Sequence, residues 1–191
     1  MSAQELFHRF QRRIAAVGGE SHLVADPREA ASFITTHAAL AERDLVIPPG
    51  FATRQPWYAL LPLLSEQGIR LREATNPASV ADAPAGLSTA ELAIAETGSV
   101  MLAENALESR VVSMLTLTHF VLVRARDLFP MLDTAGERLL QLTRPGPDQR
   151  RYISLVTGPS RTADIERTLT IGVQGPKAIC VLFVENEKEI A

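Results

Sequence analysis

The stretch Tyr152 to Leu169, YISLVTGPSRTADIERTL, ends an apolar run at Gly158-Pro159 and then presents hydroxyls on Ser160 and Thr162, a guanidinium on Arg161 and a carboxylate on Asp164. A guanidinium fork beside two hydroxyls suits a carboxylate or a phosphate. If the strand-like run feeds a helix, the unpaired amides of Thr162 to Asp164 add donors for the same anion. At the carboxyl end of a strand in an open α/β sheet, such a loop is where ligands usually sit. Asp164 opposes this reading, because its carboxylate can cap or pair locally and lower the positive potential. The plainer alternative is a structural turn, shaped by Gly158-Pro159, capped by Ser160 or Thr162, with Arg161 in a surface or interface ion pair. The stretch lacks the glycine-lysine-threonine ending of a P-loop and the GxGxxG spacing of a dinucleotide-binding turn.

A second cluster, AIAETGSVML, places Glu96, Thr97, Gly98 and Ser99 between two runs too apolar for an ordinary exposed loop. Burial would raise the carboxyl pKa of Glu96 and fit it for general-base or nucleophilic work. The alternative is a polar hairpin tip in which Gly98 supplies a positive φ. A third stretch, IGVQGPK, offers two glycines and Gln174 in another loop.

The rest of the composition excludes more than it suggests. The single cysteine, Cys180, lies inside the apolar run KAICVLFVEN and reads as a small core residue on a buried strand. One thiol cannot supply an iron–sulfur cluster or a cysteine-based zinc site. The histidines His8, His22, His37 and His119 show neither HxxxH nor HExxH spacing, so no metal site is expected in this chain. A net charge of -3, from 19 basic and 22 acidic residues, gives nucleic acid little to hold. No run approaches the roughly 18 apolar residues that cross a bilayer, and a cytoplasmic location is expected. At 191 residues, with 46% hydrophobic content, one domain with one sizeable core is expected.

The elements that must position these groups alternate. Leu6, Phe10, Ile14 and Val17 recur at helical spacing before a Gly18-Gly19 stop. A second helix begins with Asp26 as cap, Pro27 in its first turn and Glu29 at the positive end of the dipole, and carries Ala30, Phe33, Ile34, His37 and Ala41 on one face. LVIPPG reads as a buried strand, RQPWYALLPLLSEQG as a helix despite Pro62, IRLREAT as a strand and NPASVADA as a helical turn. A hairpin or bent strand is expected around residues 96–99. RVVSMLTLTHFVLVR reads as one or two buried strands and ARDLFPMLDTAGERLLQLT as a helix. RYISLVT is a strand, followed by the turn and a helix, and AICVLFVEN is the final strand. This order predicts a layered α/β fold with helices covering a largely parallel sheet.

Taken in order, AETGSVML, TGPSRTADIE and GVQGPKAICVLFVEN resemble the LUD domain of the lactate utilization protein C (LutC/YkgG) family, the second motif being the most discriminating. The motifs lie between Glu91 and Asn186. The resemblance implies a three-layer α/β fold of the ribose-5-phosphate isomerase and CoA-transferase type (NagB/RpiA/CoA transferase-like). It would occupy residues 1–191 as one domain, with N-terminal helices over about residues 3–42 packed on the core. It also implies a part in oxidation of L-lactate to pyruvate beside partner subunits that carry the iron–sulfur clusters, with no cofactor in this chain. By motif position the site would comprise Glu96 as the catalytic candidate, and Thr97, Gly98, Gly158, Ser160, Arg161, Thr162 and Asp164 around a small anion. Gln174 stands where the family pattern reads glycine-x-histidine-glycine-proline. Proton transfer would be lost there, while hydrogen bonding to a ligand would survive. A free-standing isomerase- or CoA-transferase-type enzyme using Glu96, or an anion-sensing regulatory protein, are the alternatives.

Overall fold

In the computed structural model, which describes residues 2–163 and 167–187, the apolar runs of the sequence become strands that bury side chains on both faces. The clearest is Ala178–Val184. Ile179, Val181 and Phe183 point into one core and Cys180, Leu182 and Val184 into another, as the two-residue period of a strand requires. Each of the larger side chains contributes about 1.5–3 kcal/mol by leaving water.

In chain order the elements are α1 (Ala3–Ala15), β1 (Glu20–Val24), α2 (Pro27–Thr36), β2 (Asp44–Ile47), α3 (Leu60–Glu66), β3 (Arg70–Glu73), α4 (Pro77–Val80), β4 (Ala85–Thr89), β5 (Leu92–Ile94), β6 (Ser99–Ala103), α5 (Leu107–Leu115), β7 (Thr118–Arg124), β8 (Leu128–Phe129), α6 (Gly136–Thr143), β9 (Ile153–Val156), β10 (Arg161–Thr162), β11 (Thr170–Ile171) and β12 (Ala178–Val184). Among the described residues, six strands form a parallel sheet in the order β1-β12-β7-β4-β2-β3. Helices α2 and α3 cover one face, closing a core that includes Ile34, Leu60, Leu64 and Phe120. The other face is covered by α1, by α5 with α4, and by a smaller sheet ordered β8-β5-β6-β9. Helix α6 packs on the outer side of that smaller sheet, against Leu92, Ile94 and Met101. The chain is thus an α/β protein with a central parallel sheet flanked by helices.

Local chemistry explains the boundaries. Ser2 and Glu5 make reciprocal capping bonds at the start of α1, which buries Phe7, Phe10 and Ile14. Asp26 caps α2 through the Glu29 amide, with Pro27 in the first turn, where its missing N–H costs nothing. The helix ends at Thr36 rather than continuing to Ala41, because His37 leaves the helical conformation and its Nδ1 accepts the amide of Ala39 to start a short 3-10 turn.

Four expectations are corrected. Residues 20–24 form an edge strand that a polar sequence, ESHLV, had concealed. Leu107–Leu115 is helical, not a strand. Its β-branched pair Val111-Val112 faces the sheet where Gly86 leaves room, since a Cβ there would stand 2.6 Å from Thr116 Cγ2. Of the helix expected over residues 125–143, the α-helix starts only at Gly136; Pro130 cannot extend a helix, and Leu128-Phe129 pair with β5 instead. Beyond the Gly158-Pro159 turn the chain enters a short antiparallel pair, β10 with β11, rather than a helix at Thr162.

Candidate functional site

The Gly158 turn is stitched to the loop that carries Gln174. The Ser160 amide donates to the Pro176 carbonyl at 2.9 Å, the Gly172 amide donates to the Ser160 carbonyl at 2.9 Å, and Ser160 Oγ donates to the Gln174 carbonyl at 2.8 Å. A side chain on Gly175 would press to 2.8 Å from Ser160 Cβ, so the close approach of the two loops requires glycine there. Gly158 has φ +74, and a Cβ on it would lie 2.7 Å from Val17 Cγ2, which ties the turn to the end of α1.

These two loops form one wall of a cavity of about 520 Å³. Gly158, Ser160 and Gln174 line it, with the end of α5 and Ile179 opposite, and His119 also contributes to its wall. The strand before the turn, β9, pairs antiparallel with β6 in the smaller, mixed sheet, so the carboxyl-end rule for parallel sheets does not govern this site. His119 and Ile179 are the second residues of β7 and β12, which puts the cavity at the amino edge of the parallel sheet. None of the residues lining it is charged at neutral pH.

His119 is fully buried, with Nε2 2.6 Å from Ser88 Oγ. Its Nδ1 has no hydrogen-bond partner. Complete desolvation pushes its pKa down to about 3, so the ring is neutral in any ordinary buffer. An unpaired buried ring nitrogen beside a cavity is unusual, because such an atom costs free energy until something satisfies it. The one sequence signal for His119 is a histidine placed directly before the apolar run FVLV.

The ETG cluster reaches the cavity indirectly. Thr97 Oγ1 lies 2.7 Å from Ser99 Oγ, which lies 2.6 Å from Oγ1 of Thr157, and Thr157 lines the wall. Gly98 has the positive φ of a hairpin tip, +71, and sits against α1: a Cβ would come within 2.6 Å of the Ile14 amide nitrogen. Glu96 is partly buried, donates its amide to the Pro130 carbonyl, and does not line the cavity. Arg161 is exposed, and neither it nor Thr162 lines the wall. Asp164 lies outside the described residues.

One group of possible metal ligands comes together that spacing alone had hidden. Glu20 stands opposite Cys180 in the β1–β12 register, and donor atoms of Glu20, His22 and Cys180 lie within 4.8 Å of one another. Glu20 also receives His37 Nε2 at 3.0 Å; Nδ1 of that ring accepts an amide, which leaves Nε2 as the donor. Burial, reinforced by the Glu20 carboxylate, holds the Cys180 thiol far above its usual range, so the sulfur stays protonated. The arrangement is a carboxylate hub with hydrogen-bond donors around it.

Comparisons with known proteins place this architecture. A crystal structure of a DUF162 family protein from Deinococcus radiodurans superposes with a TM-score of 0.66 at 22% identity, covering 96% of this chain and 99% of the other, which establishes the shared fold. Lactate utilization protein C of Bacillus velezensis is 31% identical over 122 residues, 64% of this chain and 48% of that protein. Lactate utilization protein C of Bacillus subtilis is 32% identical over 101 residues, 53% of this chain and 42% of the relative. YkgG of Escherichia coli, an uncharacterized protein, is 31% identical over 113 residues, 59% of this chain and 49% of its own. The chain spans about half the length of these curated relatives. Residues 7–184 match the model of the LUD domain, and the chain belongs to the LUD domain family.

Proposed function

We propose that this chain serves lactate utilization as a component without its own redox centre, binding a small 2-hydroxy or 2-oxo acid in the amino-edge cavity. Electron transfer falls to iron–sulfur partner subunits, since the sequence has one cysteine and that thiol is buried and protonated. The names of the relatives support the pathway.

The observation that carries the ligand class is neutral His119 in a wall otherwise lined by apolar, hydroxyl and amide groups; its Nδ1 is unpaired but shielded, so a ligand oxygen must press into the wall to reach it. When Ser88 donates to Nε2, Nδ1 holds the proton and donates to a carbonyl or carboxylate oxygen. In the other tautomer it accepts from a hydroxyl. Both partners occur in the lactate–pyruvate pair. Arg161 directly follows the wall residue Ser160 but does not itself line the cavity, and Arg161→Ala tests whether its guanidinium reaches a bound carboxylate. Calorimetric titration of the purified chain with L-lactate and pyruvate tests this. Saturable binding that weakens in Gln174→Ala and Arg161→Ala supports the site, and absence of binding by either acid refutes it. Affinity purification from the native host should recover cysteine-rich iron–sulfur proteins; recovery of the chain alone would remove the subunit role.

A further inference from the structure

A second cavity, of about 230 Å³, lies at the other edge of the parallel sheet, where β4 ends at Thr89 and β7 ends at Arg124. Four arginines line it, Arg54, Arg124, Arg138 and Arg150, and they come from four separate parts of the chain: the segment after β2, the end of β7, α6 and the segment before β9. None of their side chains is more than 35% exposed. Crowding guanidiniums around a void is unfavourable unless negative charge offsets them.

The protein offsets them incompletely. Glu104 takes Arg54 in a two-point pair, and Arg54 also donates to Thr89 Oγ1 at 2.8 Å. Asp127 takes Arg124. Glu91 must serve two partners: its Oε2 accepts from Arg138 Nη2 at 3.1 Å, while Arg150 Nη2 stands 3.9 Å from its Oε1, outside hydrogen-bonding distance. Among the described residues, four guanidiniums thus meet three carboxylates, and the least committed one is Arg150. The site occupies the carboxyl edge of parallel strands, where ligands of open α/β sheets bind.

We propose that this pocket is an oxyanion site, which takes the carboxylate or phosphate group of a small metabolite. Arg150 and Arg138 close on the anion, and Arg54, fixed by Glu104 and Thr89, forms the rigid back wall. One negative charge balances the set. The fork of each guanidinium matches two oxygens of either group, which an ammonium would not do. The site shares no lining residue with the amino-edge cavity and stands independently of the function proposed for it.

Titration of the purified chain with inorganic phosphate and, separately, with acetate at low ionic strength tests the proposal. Saturable binding of either anion is expected, and which one binds assigns the tetrahedral or the planar group. Arg150→Gln should weaken it ten-fold or more, Arg150→Lys should restore it only in part, and Arg144→Gln, at an exposed arginine that lines neither cavity, should leave it unchanged. Glu91→Gln, which removes the competing carboxylate, should tighten binding, and it serves as the test if Arg150→Gln does not fold. Binding of neither anion, or equal affinity in the wild type and Arg150→Gln, or no tightening in Glu91→Gln, would overturn the assignment.

Discussion

The two cavities sit at opposite edges of one parallel sheet and are built from opposite materials. The amino-edge cavity is lined by uncharged groups and holds one neutral histidine whose nitrogen lacks a partner. The carboxyl-edge cavity is walled by arginines already bound to carboxylates. The ligand proposed for the first would be held by a few hydrogen bonds in an apolar setting. The anion proposed for the second would be held by charge, chiefly by the guanidinium that the protein leaves under-used.

The comparison can be broken most forcefully at Arg54. The carboxylate it holds, Glu104, is nearly inaccessible, so Arg54→Ala should leave a buried charge unpaired and cost about 3–5 kcal/mol in denaturant unfolding. A loss below about 1 kcal/mol would mean that the back wall of the arginine pocket is not structural. Acid should strike the other edge. The His119 pKa lies below its unfolded value, so the unfolded state binds the extra proton between pH 6.5 and about 3; stability is complete above pH 6.5 and declines as pH falls. The slope approaches about 1.4 kcal/mol per pH unit below about pH 5.5, which amounts to about 2 kcal/mol between pH 6.5 and 4.5. His119→Gln should remove that limb from the stability profile. An unchanged profile would show that the imidazole is not the group that titrates.

Binding measurements sharpen the contrast at smaller scale. If Arg161 clamps the carboxylate at the amino edge, Arg161→Ala should weaken lactate or pyruvate binding by ten-fold to more than a hundred-fold, about 1.5–3 kcal/mol, with little change in melting temperature and no effect on phosphate binding at the arginine pocket. Arg161→Lys should also weaken it, because an ammonium makes no two-point contact. A drop in melting temperature with affinity preserved would return Arg161 to a structural role. The smallest expected effect is at Thr157, whose hydroxyl ends the chain running from Thr97 through Ser99. Thr157→Val should cost about 1 kcal/mol of stability. A neutral result would show that the hairpin tip and the cavity wall are not coupled through it.

How much of this the residues disclose in one dimension depends on the range of the interaction. Helices α1 and α2 were legible because their caps and apolar stripes are local, and β12 because its apolar run is unbroken. Strand β1 was not, since an edge strand with Glu20, Ser21 and His22 carries little apolar signal. Helix α5 misled because the β-branched pair Val111-Val112 favours strands, and the room beside Gly86 lets that pair form a helical face. The GPS and QGP stretches stood out as chemistry, and the structure joins them at Ser160. The His119–Ser88 contact needs the β4–β7 pairing, and the four arginines converge from positions between 54 and 150, so no local pattern announces either.

Strand β12 lies between β7 and β1, and β1, at the sheet edge, has β12 as its neighbour. On the ribosome, Glu20 to Val24 therefore emerge long before the strand that gives them their backbone partners. The same strand brings Ile179 to the amino-edge cavity. The arginine pocket draws nothing from beyond Arg150 among its lining residues, so its walls are all synthesised before β12 exists. The amino-edge cavity, by contrast, waits for Ile179, and the sheet is closed only when β12 pairs with both β7 and β1.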